Sequence, residues 1–538
     1  MTRDEILNLI QKLIKELQKA KKLPKFDIPE IQIEHPAEKT YGDYATNVAM
    51  VIAKQVRKSP LEIANLINLQ LTTYNLQLFE KIEVAKPGFI NFFLSKEYLQ
   101  KQVEEILKQG EKFSQLKIGK GQKVQVEFIS ANPTGELHLG HGRGAFFGDT
   151  ISNVLEKAGY KITREYYIND AKNSNQIREL GKTALGKGTT YLTKNLESRI
   201  KNLESKLKQV SDAGEAGYLL AQEVQKDIKN FIERKLKIKF DNWVSEEDLY
   251  KKNKGNKIYK WLKNKNLVYQ KEGARWIKTS EFGDSQDWVV IRSEKEGGEP
   301  TYLLSDIAYH KDKFDRKFQK IINIWGADHQ GHVSKMKAAA KMLGYKGDLD
   351  ILISQVVRLK KGKISKRKGE VVTLEWLIDE VGLDAARFIY LMKSLDTQME
   401  FDVELAKERS SKSPVYYAQY AHARICSILR KLKNKKLHSM LNNSTYVQLL
   451  SHPSELALVK QLIRFPEIIE DTARDYQVQR IPQYAIDLAT VFHQFYRDCK
   501  VLTGGDPLQE ARLALVLATK TILKNILNLM GISVPEKM

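Results

Sequence analysis

Cysteine is almost absent from this chain of 538 residues, which contains only Cys426 and Cys499. Two thiols so far apart in sequence form neither a disulfide framework nor the paired-cysteine pattern of a zinc site. Long apolar runs are also missing, because no stretch reaches the roughly 18 apolar residues that a membrane-spanning helix needs. Asp4 and Glu5 stand where a signal peptide would carry positive charge. We therefore expect a cytoplasmic protein that is neither exported nor embedded in a membrane.

Acidic residues are scarce relative to basic ones. Lys and Arg number 88 against 66 Asp and Glu, which gives a formal net charge of +22 at pH 7. So large an excess favours a polyanionic partner such as nucleic acid, although a lysine-rich proteome would produce part of the same excess. At about 150 residues per domain, the length of the chain indicates roughly three domains.

Hydrophobic patterns at the two ends of the chain differ. Residues 1–115 contain an amphipathic helix that starts at the capping box Thr2–Glu5, and a second helix that we expect to be capped near Asp43. These patterns predict a small α+β N-terminal domain, followed by the linker LKIGKGQ. After about residue 400 the strand patterns fade and four long stretches have helical periodicity. They predict an all-α C-terminal bundle over residues 401–538.

The middle part, residues 116–400, alternates strand-like runs with helical ones. The strand-like runs are VQVEFI, REYYI, KIINIWG and LDILISQVVRL. This alternation is typical of a parallel α/β sheet. The sequence NLES recurs after seven residues near residue 195. Two heptads are too few for a coiled coil, so we expect a helical insertion around residues 190–240.

Two histidines follow the first predicted strand in EFISANPTGELHLGHGRGAF. His138 and His141 are three residues apart, so on a helix they share one face near its N-terminus, where unpaired N–H groups favour phosphate. A zinc pair is a weaker interpretation, since the metal-binding helix pattern spaces its histidines four apart beside a glutamate. Capping or packing is the other alternative. Glycines leave the backbone accessible to a flat adenine ring and so favour nucleotide binding. They are Gly135, Gly140, Gly142 and Gly144.

A second basic motif, RLKKGKISKRKGE, places six cationic residues among nine positions. Such a run is usually a solvated face or a nucleic-acid patch. Gly362 and Gly369 bracket this one, which predicts a mobile loop able to close Lys363 and Lys366 over a triphosphate. Negative charge builds up on the leaving pyrophosphate, so lysines held beside it stabilise the transition state.

Together the two motifs resemble those of the class I aminoacyl-tRNA synthetases. HLGH is similar to the HIGH motif and KISKR to the KMSKS motif, with Ile364 and Arg367 in place of the methionine and the last serine. The resemblance narrows to bacterial-type arginyl-tRNA synthetases in GDYATNVAMVIAK, EYYINDAKNSNQI, FDNWVSEE, TYLLSDIAYHKDKF, GADHQGH, SPVYYAQYAHARI and LKNILNLMGISVPEKM. It spans essentially the whole chain. That family implies a Rossmann-type parallel-sheet catalytic domain between a tRNA-contacting N-terminal domain and a helical anticodon-binding domain.

The resemblance also implies the residues of an active site. Its catalytic positions are His138, His141, Lys363 and Lys366. Its ATP-binding positions are Pro133, Thr134, Gly135, His138, Gly140, His141, Lys363, Ser365 and Lys366. Its arginine-binding positions are Glu127, Ser130, Asn132, Tyr302, Asp306 and His329. We expect Tyr302 and Asp306, both in TYLLSD, to lie at the end of a strand. The same family surface includes Asn169 and Asp170, to which the sequence assigns no role.

The family's reaction attaches arginine to tRNA through an arginyl-adenylate and releases AMP and pyrophosphate. The partners that the resemblance implies are L-arginine, ATP with Mg²⁺, and tRNA(Arg), while no structural metal and no membrane are expected. A monomer is the expected state. Members of the family normally need bound tRNA before they activate arginine.

Three other functions stay open at this point. A small nucleotidyltransferase with the same HxGH chemistry explains the histidines but not the helical C-terminal part. A synthetase for another amino acid is the nearer alternative, and pyrophosphate exchange with a panel of amino acids separates the two. A non-catalytic basic RNA-binding protein would leave the paired phosphate motifs unexplained.

Overall fold

The computed structural model describes residues 2–74, 77–360, 372–410, 412–431, 446–502 and 507–538. Its strands are β1 (Tyr44–Thr46), β2 (Phe79–Ala85), β3 (Phe89–Leu94), β4 (Lys123–Glu127), β5 (Lys161–Ile168), β6 (Asn242–Ser245), β7 (Val268–Lys271), β8 (Ala274–Ile277), β9 (Trp288–Ile291), β10 (Lys320–Gly326), β11 (Asp348–Ser354), β12 (Val357–Leu359) and β13 (Met399–Phe401).

The first helices are α1 (Thr2–Lys19), α2 (Val48–Val56), α3 (Pro60–Leu71), α4 (Lys96–Gln109), α5 (Leu139–Lys157), α6 (Asn175–Ala184), α7 (Lys194–Asn202), α8 (Glu204–Leu207), α9 (Ala213–Asn230), α10 (Glu246–Lys251), α11 (Lys254–Asn264), α12 (Tyr302–Asp315) and α13 (Val333–Met342). They are followed by α14 (Leu374–Val381), α15 (Leu383–Leu391), α16 (Val403–Lys407), α17 (Pro414–Arg430), α18 (Pro453–Ile463), α19 (Phe465–Asp475), α20 (Arg480–Asp498) and α21 (Pro507–Leu529).

The N-terminal part combines a three-stranded antiparallel sheet, in the order β1-β3-β2, with four helices. The predicted amphipathic helix is present as α1, whose apolar stripe is buried. The predicted start of a helix near Asp43 is wrong, because the chain there enters β1 and α2 begins only at Val48. The Asp43 carboxylate accepts from the N–H of Leu94 at 2.9 Å. It therefore ties two strands together instead of capping a helix.

Five parallel strands form the central sheet in the order β11-β10-β4-β5-β6. Four of them coincide with the strand-like runs of the sequence, whereas the short β6 has no such run. The chain adds β5 and β6 on one side of β4, and then β10 and β11 on the other side. The strand order thus reverses between β4 and β10, and in a doubly wound sheet this switch point opens a crevice at the carboxyl ends of the strands.

Helices α7, α8 and α9 occupy the stretch in which the sequence predicts an insertion. The NLES repeat does not form one continuous helix, because α7 ends at Asn202 and α8 begins at Glu204. Leu196, Leu203 and Leu207 are nevertheless buried, so the apolar seam packs against its neighbours. A small antiparallel sheet in the order β7-β8-β9 follows before α12.

The secondary-structure elements described after β13 are all helices. Glu467 of α19 joins them to the N-terminal part, since it accepts from the hydroxyl of Tyr44 and pairs with Nε2 of His35, both at 2.9 Å. Within the described ranges, no helix combines the length and the apolar character needed to cross a bilayer. The domain boundaries at residues 115 and 400 stay predictions.

Candidate active site at the switch point

The chain leaves β4 through a strained turn. Ile129 and Ser130 have φ angles of 69° and 40°, in the left-handed region that residues with a Cβ rarely adopt. Two neighbours hold this backbone in place. The Ser130 carbonyl accepts from Nδ2 of Asn169, and the Ser130 Oγ accepts from the N–H of Tyr167, each at 3.1 Å. Asn169 thus fixes the turn that carries Ser130.

The two histidines lie at the start of α5, as the sequence predicts, and they also cap it. Nδ1 of His138 accepts from the N–H of Gly140, and Nδ1 of His141 accepts from the N–H of His138, each at 3.0 Å. The ring centroids are 3.8 Å apart. The capping alternative is therefore correct, but capping uses only Nδ1 of each ring.

The chemistry of the histidine pair depends on Nε2, the other nitrogen of each ring. Because Nδ1 accepts a hydrogen bond, a neutral ring must carry its proton on Nε2. Burial lowers the pKa of His138, and burial together with the neighbouring ring lowers the pKa of His141 to about 3. Both rings are thus neutral near pH 7 and offer Nε2–H as a donor. Such fixed donors suit an anionic group such as a phosphate.

The glycines of this stretch have different surroundings. A Cβ on Gly135 would meet no described atom within 4 Å, whereas a Cβ on Gly142 would lie 2.7 Å from Cδ1 of Leu374. The interpretation that Gly142 leaves the backbone open to adenine is therefore wrong, and this glycine allows α5 and α14 to approach closely. A Cβ on Gly140 would lie 2.9 Å from the ring of His138, so Gly140 makes room for that ring.

Carboxyl groups gather beside the strained turn. Glu127, the last residue of β4, is 4% exposed and accepts from Nζ of Lys313 and, at 3.1 Å, from Oγ of Ser130. Asp306 of α12 faces it. Burial, followed by the charge of Glu127, raises the pKa of Asp306 to about 7. The two predicted arginine-binding carboxyls therefore lie close enough to interact electrostatically, and we call their surroundings the carboxyl pocket.

A third carboxyl of this pocket, Glu246 at the start of α10, is missing from the predicted residues. Burial and the charges of Asp306 and Asp170 raise the pKa of Glu246 to about 8. The Tyr167 hydroxyl is buried nearby without a hydrogen-bond partner among the described residues. Burial and the charges of the three carboxyls raise its pKa. A pocket of carboxylates with an unpartnered hydroxyl suits a cation with several N–H donors, such as a guanidinium.

Tyr302 and Asp306 lie on a helix, so the predicted strand end in TYLLSD is wrong. An apolar run as short as YLL does not distinguish a strand from a helix. Thr301 precedes the first turn of α12, and the spacing of four residues places Tyr302 and Asp306 on one face. Tyr302 is 46% exposed, and its hydroxyl accepts from the N–H of Asn175 at 2.9 Å. It therefore lies over the start of α6.

Asp170, to which the sequence assigns no role, supports Glu246. It is buried and accepts from Oγ of Ser245 at 2.8 Å, from the N–H of Glu247 at 3.0 Å and from Nε2 of Gln222 at 3.0 Å. These bonds fix the junction between β6 and α10. Asp170 therefore determines where the Glu246 carboxyl lies.

For the remaining predicted residues the structure shows fewer contacts or none. Asn132 is exposed, and its carbonyl accepts from the N–H of Thr134 at 2.8 Å, while Pro133 is buried. His329 follows β10 and is exposed, with Nε2 3.4 Å from Asp328. Outside the described residues lie Lys363, Ser365 and Lys366. In the parts of the chain that the structure describes, no three His, Cys, Asp or Glu side chains are grouped as they would be around a metal ion.

A cavity of about 420 Å³ lies on the C-terminal helices, far along the chain from the switch point. It is lined by Tyr416, Tyr417, Tyr420, Arg424 and His493, which we call the tyrosine cage. The Tyr416 and Tyr420 rings are nearly parallel with centroids 6.0 Å apart, and the Arg424 guanidinium lies 5.1 Å from the Tyr420 ring. Aromatic faces beside an arginine suit an unstacked RNA base.

Models of known protein families match three successive parts of the chain. Residues 4–94 match the arginyl tRNA synthetase N terminal domain, residues 102–177 and 185–429 the catalytic domain of the class I (R) tRNA synthetases, and residues 418–538 the DALR anticodon binding domain. These matches follow the same order as the three parts of the fold.

Individual relatives agree with these matches. An arginine–tRNA ligase of Bacillus licheniformis is 43% identical over 99% of both chains, and one of Bacillus subtilis is 43% identical over 95% of both. The solved arginyl-tRNA synthetase of Thermus thermophilus is 22% identical and superposes over 100% of both chains with a TM-score of 0.78, a likeness of fold. With full-length relatives at this identity and a matching catalytic domain, the chain belongs to the class I arginyl-tRNA synthetases.

Proposed function

We propose that this arginine–tRNA ligase forms arginyl-adenylate in the crevice between β4 and β10. One observation carries the proposal. The turn after β4 leads from Glu127, which accepts from Ser130 and whose charge adds to burial in raising the pKa of Asp306, to the neutral histidine pair that starts α5. Aminoacylation of total tRNA with each labelled amino acid in turn tests it. Arginine alone should be attached, and efficient attachment of another amino acid would overturn the proposal.

The reaction has two steps. The arginine carboxylate attacks the α-phosphorus of ATP and pyrophosphate leaves, after which a terminal ribose hydroxyl of tRNA takes the arginyl group and AMP leaves. Positioning and charge stabilisation carry most of such a displacement. His138 and His141 donate from Nε2 to the α-phosphate and the phosphate chain. Lys363 and Lys366 hold the β and γ phosphates.

The rest of the ATP site comes from the turn before α5 and from the second motif. Its residues are Pro133, Thr134, Gly135, Gly140 and Ser365. The open surroundings of Gly135 support a close approach of ATP to the backbone. Mg²⁺ would arrive with ATP as its counterion and would need no dedicated protein cage.

Arginine lies across the carboxyl pocket. Asp306 and Glu246 accept from the guanidinium, and Tyr302 closes over it. Glu127, Ser130, Asn132 and His329 surround the α-amino end. When the three carboxyls are ionised, Lys313 offsets one of their charges. Two negative charges remain, which match the guanidinium and the α-ammonium of arginine.

The domains on either side hold tRNA(Arg). Residues 1–115 contact the body of the tRNA, residues 116–400 catalyse the reaction, and residues 401–538 bind the anticodon. The net charge of +22 supports this division, because phosphate contacts supply much of the affinity for RNA. We propose further that the enzyme is a monomer of the cytoplasm and holds no structural metal.

Arginine binding should weaken as the pH falls below about 8, and more steeply below about 7. Asp306 and Glu246 have raised pKa values, about 7 and about 8, so both gain protons in the free enzyme below those values. A guanidinium binds the carboxylate forms. Affinity should therefore fall about tenfold per pH unit for each proton that must leave. Calorimetry of arginine binding in buffers with different ionisation heats measures the protons released. An affinity that does not change with pH would contradict the charges assigned to this pocket.

Replacing Tyr420 by alanine should weaken tRNA binding by roughly 5-fold to 150-fold, since stacking on an aromatic ring contributes about 1–3 kcal/mol per base. Tyr420→Phe keeps the ring and serves as the matched control, so it should bind normally. Filter binding over a salt series measures both variants. Unchanged affinity in Tyr420→Ala would remove the tyrosine cage from the RNA surface.

A further inference from the structure

Lys313 is a fully buried cation beside the proposed arginine site. Its Nζ donates to Oε2 of Glu127 and, at 2.8 Å, to Oδ1 of Asn323, and it lies 4.4 Å from the ring centroid of Tyr309. A charge without water is tolerated only where a counter-charge and hydrogen bonds replace the solvent. Glu127 and Asn323 are paired positions on β4 and β10, so Lys313 bridges the switch point itself.

A chain of hydrogen bonds runs from Lys313 to the backbone of Asp306. Nδ2 of Asn323 lies 2.8 Å from Nε2 of His310, and Nδ1 of His310 lies 2.8 Å from the carbonyl oxygen of Asp306. Burial lowers the pKa of His310 to about 3, so the ring is neutral and has one donor and one acceptor. Nδ1–H must donate to the carbonyl, and Nε2 must accept from the Asn323 amide. The Asn323 oxygen is then left to accept from Lys313, so every link of the chain is consistent.

The two ends of this chain are the two predicted arginine-binding carboxyl residues. Glu127 receives Lys313 on one oxygen and Ser130 on the other. Asp306 lies on α12 seven positions before Lys313, so the side chains that hold Glu127 also hold the helix that carries Asp306. Protein groups therefore fix the Asp306 backbone relative to the Glu127 carboxyl before any substrate binds.

We propose that Lys313 is a positioning residue for arginine. It orients the Glu127 carboxyl through a hydrogen bond, and through Asn323 and His310 it sets the position of the Asp306 backbone relative to Glu127. The inference rests on the proposed arginine site. Without the ammonium, the Glu127 carboxyl would lose the donor that fixes its Oε2 and the positive charge that offsets the repulsion from Asp306 and Glu246. A carboxyl that turns away from this position no longer meets the α-ammonium of the substrate.

Kinetics of Lys313→Met give the first test. The KM for arginine should rise about 30-fold or more, the loss expected when one partner of a buried charge pair is removed. The KM for ATP should stay unchanged, because Lys313 does not contact the histidine pair. Lys311→Met is the matched control, since Lys311 lies on the same helix but is partly exposed and pairs with Asp315. Equal effects on arginine and ATP would indicate a general structural role and overturn the inference.

A double-mutant cycle with Glu127→Gln tests the role of Lys313 separately from the proposed arginine site. If Lys313 acts through Glu127, Lys313→Met should cost almost nothing further in arginine affinity once Glu127 is neutral. Fully additive losses would overturn the role of Lys313 while leaving the arginine site intact. Normal arginine affinity in Glu127→Gln alone would remove the proposed site as well. Should Lys313→Met fail to fold, the double variant leaves no unpaired buried charge, and its comparison with Glu127→Gln decides the question.

Discussion

Replacing Asp306 by asparagine should lower kcat/KM for arginine roughly 30-fold to several-thousand-fold. This range corresponds to about 2–5 kcal/mol, the cost of removing one partner of a buried charge pair. The variant keeps the size of the side chain, so α12 should retain its packing. The loss arises because the guanidinium enters a buried pocket and meets an amide in place of a carboxylate. Steady-state kinetics at saturating ATP measure the effect, and the KM for ATP should change far less.

Substrate analogues show whether the charge of Asp306 is responsible. The intact enzyme should reject citrulline, whose neutral urea group leaves a carboxylate unpaired, and lysine, whose compact ammonium lacks the planar fork. In Asp306→Asn the ratio of kcat/KM for arginine to kcat/KM for citrulline should fall. Asp315→Asn is the matched control, because Asp315 lies on the same helix, is exposed and pairs with Lys311. Normal arginine kinetics in Asp306→Asn would return Asp306 to a helix-surface role.

Local patterns in the sequence predicted the parts of the fold that short stretches of chain determine. The strand-like runs of β4, β5, β10 and β11 and the amphipathic α1 are of this kind, since each is defined by its own periodicity. The spacing of His138 and His141 also predicted their place at the start of α5. That spacing could not show that each Nδ1 would be used in capping, because this depends on the φ and ψ angles at the N-cap.

The composition of the carboxyl pocket could not be predicted in the same way. Glu246 reaches the pocket only because β6 pairs with β5, and β6 is too short to have a recognisable pattern. Lys313 looks like an ordinary helix-surface lysine in KDKFDR. Its burial follows from the packing of α12 over the switch point, where Glu127 provides the counter-charge. Contacts between residues 77 positions apart, in the pairing of Glu165 with Asn242, decide the first case, and contacts 186 positions apart, between Glu127 and Lys313, decide the second. No local pattern encodes either.

Replacing His141 by alanine should slow adenylate formation by about 10²-fold to 10³-fold, the loss typical of one donor to a developing negative charge. The donor is Nε2–H, because Nδ1 accepts from the N–H of His138. With a pKa lowered to about 3, the ring stays neutral across the working range. The loss should therefore be the same at every pH near neutrality. Single-turnover formation of the adenylate with bound tRNA measures the rate.

The His141 ring caps α5 and, in the proposed mechanism, also donates to phosphate. The two roles must therefore be tested separately. His141→Glu keeps an acceptor for the N–H of His138, as glutamate does in a capping box, but has no N–H to donate, so it should recover stability without recovering the rate. The chain contains a matched case at α18, where Glu455 accepts from the N–H of His452 at 2.9 Å and Nδ1 of His452 accepts from the N–H of Ser454 at 3.2 Å. Removing that cap with His452→Ala should cost about 0.5–2 kcal/mol of unfolding free energy and leave adenylate formation unchanged. If His141→Glu recovered the rate together with the stability, His141 would be a cap only, and phosphate binding would fall to His138 and the lysines of the second motif.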